Sequence, residues 1–231
     1  MKFRRALTVA LVALPLSVAP AANADNSAAP PFTTTDAWAD CASSPYIDDP
    51  IVDAIAGDSC SADADATEAG SMSAELSLVT SHLPLSSGGA NGEAHISTTL
   101  WVEGASSVSY TVTYQVSNAH ATMQSQATLP TSTIGAGTAL IGSVYAPGST
   151  PPVEFARSLA STNAAPLPDG TYTEQLLLAT DDGSTMNGPV VIGFFVWSMI
   201  DAYNDGATIT STTVSTGANV QILSVTSQII E

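Results

Sequence analysis

Val108, Tyr110, Val112, Tyr114 and Val116 alternate with Ser109, Thr111, Thr113, Gln115 and Ser117 along the stretch "SVSYTVTYQVS". Successive side chains of an extended chain point to opposite faces, so this segment has one apolar and one polar face. A helix cannot make the same division, because a period of two does not match 3.6 residues per turn. The segment therefore requires a sheet with one buried side. Comparable runs cover 72–83, 94–103, 119–129, 138–145 and 153–160. Others follow "LPDG", fill 190–200 and 207–214, and occupy 220–230 after an expected last hairpin at "STGAN". "SGGANG" reads as the turn that precedes the second run. Eight to ten short strands with turn signals between them, and no long helical pattern, predict an antiparallel sandwich.

One run departs from alternation. In "VVIGFFVWSMI", Val190, Ile192, Phe194 and Val196 are apolar, and so are Val191, Phe195, Trp197 and Met199. Eleven residues are too few to cross a bilayer as a helix, which takes roughly 20. As a strand the run needs cover on both faces, while a sandwich supplies cover on one. The second cover is expected from the N-terminal arm, another chain or a further layer. Gly193 within it marks a bulge or a close backbone approach.

The chain ahead of residue 71 has a different texture. Lys2, Arg4 and Arg5, an apolar run and Ala22-Asn23-Ala24 have the form of a secretory signal peptide, so residues 1–24 are expected to be removed. Three of the four Lys and Arg residues would leave with it, and Arg157 would face all 21 acids alone. That balance opposes binding to nucleic acid or anionic lipid. Residues 25–70 carry ten acids and no base, and read as an arm with a linker at 61–70. Cys41 and Cys60 are the only cysteines, and in a secreted chain they predict a disulfide. "TTTDAWADCA" reads as a short helix capped by Thr35, and "DDPIVDAIAG" as one capped by Asp49 with Ile51 and Ile55 on one face. Residues 25–34 are expected to be extended or disordered.

The predicted fold class is thus mainly β: an immunoglobulin-like antiparallel sandwich (71–231) behind a short, disulfide-stapled, partly helical arm (25–70). "PDGTYT" resembles the turn-plus-tyrosine entry to a late strand of immunoglobulin-like sandwiches. That resemblance bears on architecture and not on activity.

No catalytic signature is present: there is no G-x-S-x-G, H-E-x-x-H, P-loop or G-x-G-x-x-G. His82, His95 and His120 lie scattered on expected strands. The acidic stretch at 63–68 fails as a calcium loop, lacking the sixth-position Gly and with Ala74 where the bidentate Glu would stand. No metal, cofactor or catalytic residue is expected. Glu154, three residues before Arg157, is its expected ion-pair partner. Trp101, Tyr110 and Tyr114 suggest a sugar platform, but the alternation places both tyrosines in a core.

The expected function is a secreted, non-catalytic bacterial interaction module, an adaptor or structural subunit whose partner is another secreted protein or assembly. Nucleic-acid binding and membrane insertion are not expected. The candidate partner-binding residues are Trp38, Ile51 and Ile55 on the arm and Thr111, Thr113 and Gln115 on the uncharged strand face. The secreted arm-plus-sandwich layout resembles the adaptor subunit of the umbrella-shaped toxin particles of streptomycetes, with no residue carried over. A carbohydrate-binding sandwich and a protease inhibitor presenting the Cys41–Cys60 loop are the alternatives, with an unrecognised hydrolase behind them.

Overall fold

A computed structural model describes residues 31–42, 59–80, 87–125, 133–146, 151–180, 183–203 and 212–230. Ten strands form two antiparallel five-stranded sheets, and no helix occurs among the described residues. The first sheet has β1 (Thr34–Ala42), β4 (Ser87–Ala105), β9 (Met186–Tyr203), β6 (Thr133–Tyr145) and β7 (Val153–Ser161), in the order β1-β4-β9-β6-β7. The second has β2 (Ser59–Ala66), β3 (Ser71–Thr80), β10 (Thr212–Ile230), β5 (Ser107–Ser125) and β8 (Gly170–Ala179), in the order β2-β3-β10-β5-β8. The sheets face each other across one interior.

Alternation decides what enters that interior. Val108, Tyr110, Val112, Tyr114 and Val116 of β5 are all buried, in one core with Ile192, Phe194 and Val196 of β9. An aromatic series crosses between the sheets. Phe32 meets Phe194 edge-on at 6.1 Å, Phe194 lies 6.5 Å from Phe155, Phe155 stacks on Tyr114 at 6.1 Å, and Tyr114 stacks on Tyr172 at 5.8 Å. Such pairs add about 1 kcal/mol each beyond the area they bury. Gly142 makes the series possible, because a Cβ there would overlap the Phe155 ring. Further along, Leu76, Leu78, Ala90, Ala136, Ile200 and Val214 form a second apolar cluster. The buried hydroxyls of Thr138, Ser198 and Thr216 bond one another at 2.8 and 2.9 Å, and Ser198 donates to the Ala74 carbonyl at 3.2 Å. They tie one sheet to the other with their polar groups satisfied.

Several local expectations are corrected. Residues 34–42 are a strand and not a helix: Ala37 and Ala39 turn toward the interior, and Asp36, Trp38 and Asp40 turn out. Residues 59–66 are likewise a strand and not linker, with Ala62 and Ala64 inward and Asp63 and Asp65 outward. Small residues fit beneath these two edge strands, and outward aspartates discourage further pairing at the edges. Phe32, read as part of an extended lead-in, is buried in the core. The helix expected over 49–57, with Ile51 and Ile55, lies outside the described residues, as do the expected signal peptide and His82.

Three turn-like or interrupted stretches are instead continuous strand. "SGGANG" belongs to β4, where Gly92 leaves room for Leu76. "STGAN" belongs to β10, and a Cβ at Gly217 would overlap the Glu75 carboxylate. Glu75 reaches across this glycine to His120, 3.0 Å away on β5. Residues 107–125 form one strand and not two, with a bulge where Asn118 takes a φ of 57°.

Both open edges of the sandwich are fastened. Cys41 on β1 and Cys60 on β2 form the predicted disulfide, joining one edge strand of each sheet. At the other edge, Arg157 of β7 grips Glu174 of β8 with two bonds, Nε–Oε1 at 2.5 Å and Nη2–Oε2 at 3.0 Å. Glu154, the partner expected from sequence, points to the outer face, because the two residues lie at opposite parity on the strand.

Candidate functional site

The outer face of the β1-β4-β9-β6-β7 sheet is where the two-sided apolar run matters. Its even residues fill the core, and Val191, Phe195, Trp197 and Met199 face outward. Pairing across the sheet sets their neighbours. Trp38, Glu93, Trp197 and Ala139 form one row, from β1 through β4 and β9 to β6. Asp36, His95, Phe195, Ile141 and Ala156 form the next, and Asp40, Asn91 and Met199 the one on the other side. Neighbouring strands lie about 4.8 Å apart, so the Trp38 and Trp197 backbones stand about 10 Å apart with Glu93 between them.

Local contacts hold this surface. The Trp197 indole donates from Nε1 to Asn91 Oδ1 at 2.7 Å, which fixes the ring's orientation. Gly193 lies under the His95 imidazole: a Cβ there would sit 3.4 Å from Nε2 and 3.6 Å from the Ser143 hydroxyl. The glycine therefore marks a close approach, and the β9 ladder runs through it without a bulge.

All three tryptophans of the protein lie on this outer face. Trp38 is 44% exposed, Trp101 72%, Met199 43% and Tyr145 38%. Large apolar side chains are thus left in water on one face of the sheet. Asp36, Asp40, Glu93, Glu103 and Glu154 share the face, and no Lys or Arg stands there among the described residues.

The opposite outer face differs in chemistry. Thr111 stands between Gln175 and Thr226, Thr113 between Thr173 and Ser224, and Gln115 between Thr171 and Gln221. The Thr113 and Thr173 hydroxyl oxygens are 3.5 Å apart. This centre is uncharged, as the alternation predicts. However, the strand 107–125 does not lie beside 186–203: the two belong to different sheets. The structure therefore separates the candidate residues. Trp38 lies on one outer face, Thr111, Thr113 and Gln115 lie on the other, and Ile51 and Ile55 lie outside the described residues.

The remaining candidates also separate. Tyr110 and Tyr114 are fully buried, which removes them from any sugar platform and leaves Trp101 toward one end of the aromatic face. Burial pushes both phenols up to about 12. For Tyr114 the neighbouring Glu174 carboxylate adds to the effect, and Arg157 opposes it. Burial also raises the Glu75 carboxyl, and His120 pulls it back. Among the described residues no three His, Cys, Asp or Glu side chains converge as metal ligands. Sequence reasoning recognised that 190–200 needed a second cover but did not join Trp38 to Trp197. The alternation of "DAWAD" around Trp38 was the available signal. The chain matches no known protein-family model. No characterised protein matches it in sequence.

Proposed function

We propose that this protein is a secreted, non-catalytic interaction module, an adaptor or structural subunit of an extracellular assembly. In this reading the aromatic outer face docks a partner protein with an apolar centre and a basic rim. The observation that carries the reading is the row Trp38–Glu93–Trp197 flanked by Phe195 and Met199. Trp, Phe, Tyr and Met are the residues enriched at interface cores, and Trp dominates hot spots. Five carboxylates, with no Lys or Arg among the described residues of that face, favour a cationic partner and oppose a second copy of this chain. The immunoglobulin-like assignment belongs to the same proposal. It is supported by the Tyr172 hydroxyl, which donates to the Pro168 carbonyl at 2.5 Å as a tyrosine corner does.

The test uses the full chain, because residues before Met72 supply two edge strands and Phe32. Wild type, the Trp38→Ala/Trp197→Ala variant and Thr113→Lys are used to capture proteins from native extracellular medium. The captured protein is then purified and titrated directly. The proposal expects a basic partner whose Kd rises at least about 100-fold with the double variant, each Trp contributing at least about 1.4 kcal/mol. It expects Thr113→Lys to bind as wild type does. Equal affinity for the double variant, or a partner without a basic surface, overturns the reading.

A further inference from the structure

The outer face of the second sheet is not flat. Two bulges interrupt the pairing of β10 with β5, one where Asn118 and Ala119 oppose Ala218, and one where Leu223 is the extra residue. A bulge sharpens local twist and re-aims the side chains beside it. Between the two lies a concave site of about 290 Å³. Two adjacent rows line it. Asp65, Ser73, Asn219 and Ser117 form one, and Ser71, Gln221 and Gln115 form the other.

The lining has a definite chemistry. Gln221 is anchored: its Nε2 donates to the Ala69 carbonyl at 2.8 Å, and its Oε1 accepts from the Ser71 hydroxyl. Gln115 and Asn219 are exposed and free to present both an amide donor and an amide acceptor. Ser73 and Ser117 add hydroxyls that serve in either role, and Asp65 adds one carboxylate acceptor. No cation lines the site, so it does not suit phosphate or sulfate. A single carboxylate does not suit a tightly held divalent cation. Met72 and Val220 also line it but are almost fully buried, so an apolar ligand gains little there.

We infer that this concavity is a binding site for a neutral saccharide. A ring of adjacent hydroxyls, each both donor and acceptor, matches paired amides, hydroxyls and one carboxylate spaced about 4.8 Å apart across neighbouring strands. The site lies on the sheet opposite the aromatic face, so one chain can hold a glycan and a protein partner at once. This inference does not depend on the proposed docking.

The experiment titrates the full chain with glucose, galactose, N-acetylglucosamine and their β-linked disaccharides, followed by saturation-transfer NMR and calorimetry. Asn219→Leu, Gln115→Leu and Trp38→Ala are compared with wild type, with circular dichroism to confirm that each is folded. The inference expects at least one of these sugars to bind, at least tenfold weaker binding for Asn219→Leu and for Gln115→Leu, and no change for Trp38→Ala. Absence of binding to every sugar overturns it. So does binding that survives both pocket variants, or that is lost only with Trp38→Ala.

Discussion

Arg157 and Glu174 close one side of the sandwich, and removing the arginine tests what that closure is worth. Arg157 is 54% exposed, Glu174 is only 15% exposed, and the Tyr114 hydroxyl lies 3.4 Å from the same carboxylate. Arg157→Met therefore leaves a largely covered carboxylate facing a buried phenol. Hydrogen bonds to charged groups contribute about 1.5–3 kcal/mol each, and the exposed guanidinium lowers the sum through solvent screening. The expected loss is about 2 kcal/mol, or a fall in Tm of about 4–8 °C for a chain of this size. Glu174→Gln alone should lose less, and the double variant less than the two losses added together, giving a coupling of about 1.5 kcal/mol. Urea unfolding of the four proteins at pH 7 measures it. Raising NaCl from 0.1 to 1 M should weaken the coupling without abolishing it, because Glu174 is mostly shielded. A coupling below about 0.3 kcal/mol refutes the reasoning and assigns this edge to the Phe155–Tyr114–Tyr172 stack alone.

Four further outcomes follow from the packing and the disulfide. The buried Tyr110 hydroxyl has no hydrogen-bond partner among the described residues, so Tyr110→Phe should stabilise the fold by about 1 kcal/mol in urea unfolding. The Tyr110 and Tyr114 phenols rise from 10.0 to about 12 on folding, so above pH 10 the unfolded chain ionises first. Stability that is complete below pH 10 is then lost up to about pH 12, by about 3 kcal/mol per phenol, and a pH series of melts should show half the loss in Tyr110→Phe. Replacing Cys41 and Cys60 by Ala opens a 19-residue separation and should lower unfolding free energy by about 3 kcal/mol, whereas Gly142→Ala should cost about 1–3 kcal/mol by displacing Phe155.

The parts of the fold legible in sequence were those with strong alternation. Val108 to Val116 announced a core face, and the run at 190–200 announced a sheet with demands on both sides. The two edge strands were hidden by composition. Ala and Asp are poor strand formers, and their alternation in "DAWADCA" and "SADADA" carries small residues inward where bulk would normally signal a core. Tertiary pairing with β4 and β3 supplies the backbone bonds that local propensity does not. Glycine misled in the opposite direction. Gly92 and Gly217 read as turns but serve close packing against Leu76 and Glu75, a cause that only the neighbouring strand reveals. The candidate site was partly visible for the same reason. Trp38 and Trp197 stand 159 positions apart in sequence and two strands apart in the sheet, and only the shared pairing with Glu93 brings them into one row.

The most direct measurement of the docking claim is site-specific photocrosslinking in native extracellular medium. A benzophenone amino acid replaces Met199, 43% exposed on the aromatic face, or Thr113 at the centre of the hydroxyl face. The account predicts an adduct with a basic protein from position 199 and no adduct with that protein from position 113. An adduct from 113 alone, or an adduct from 199 only with another copy of this chain, contradicts it.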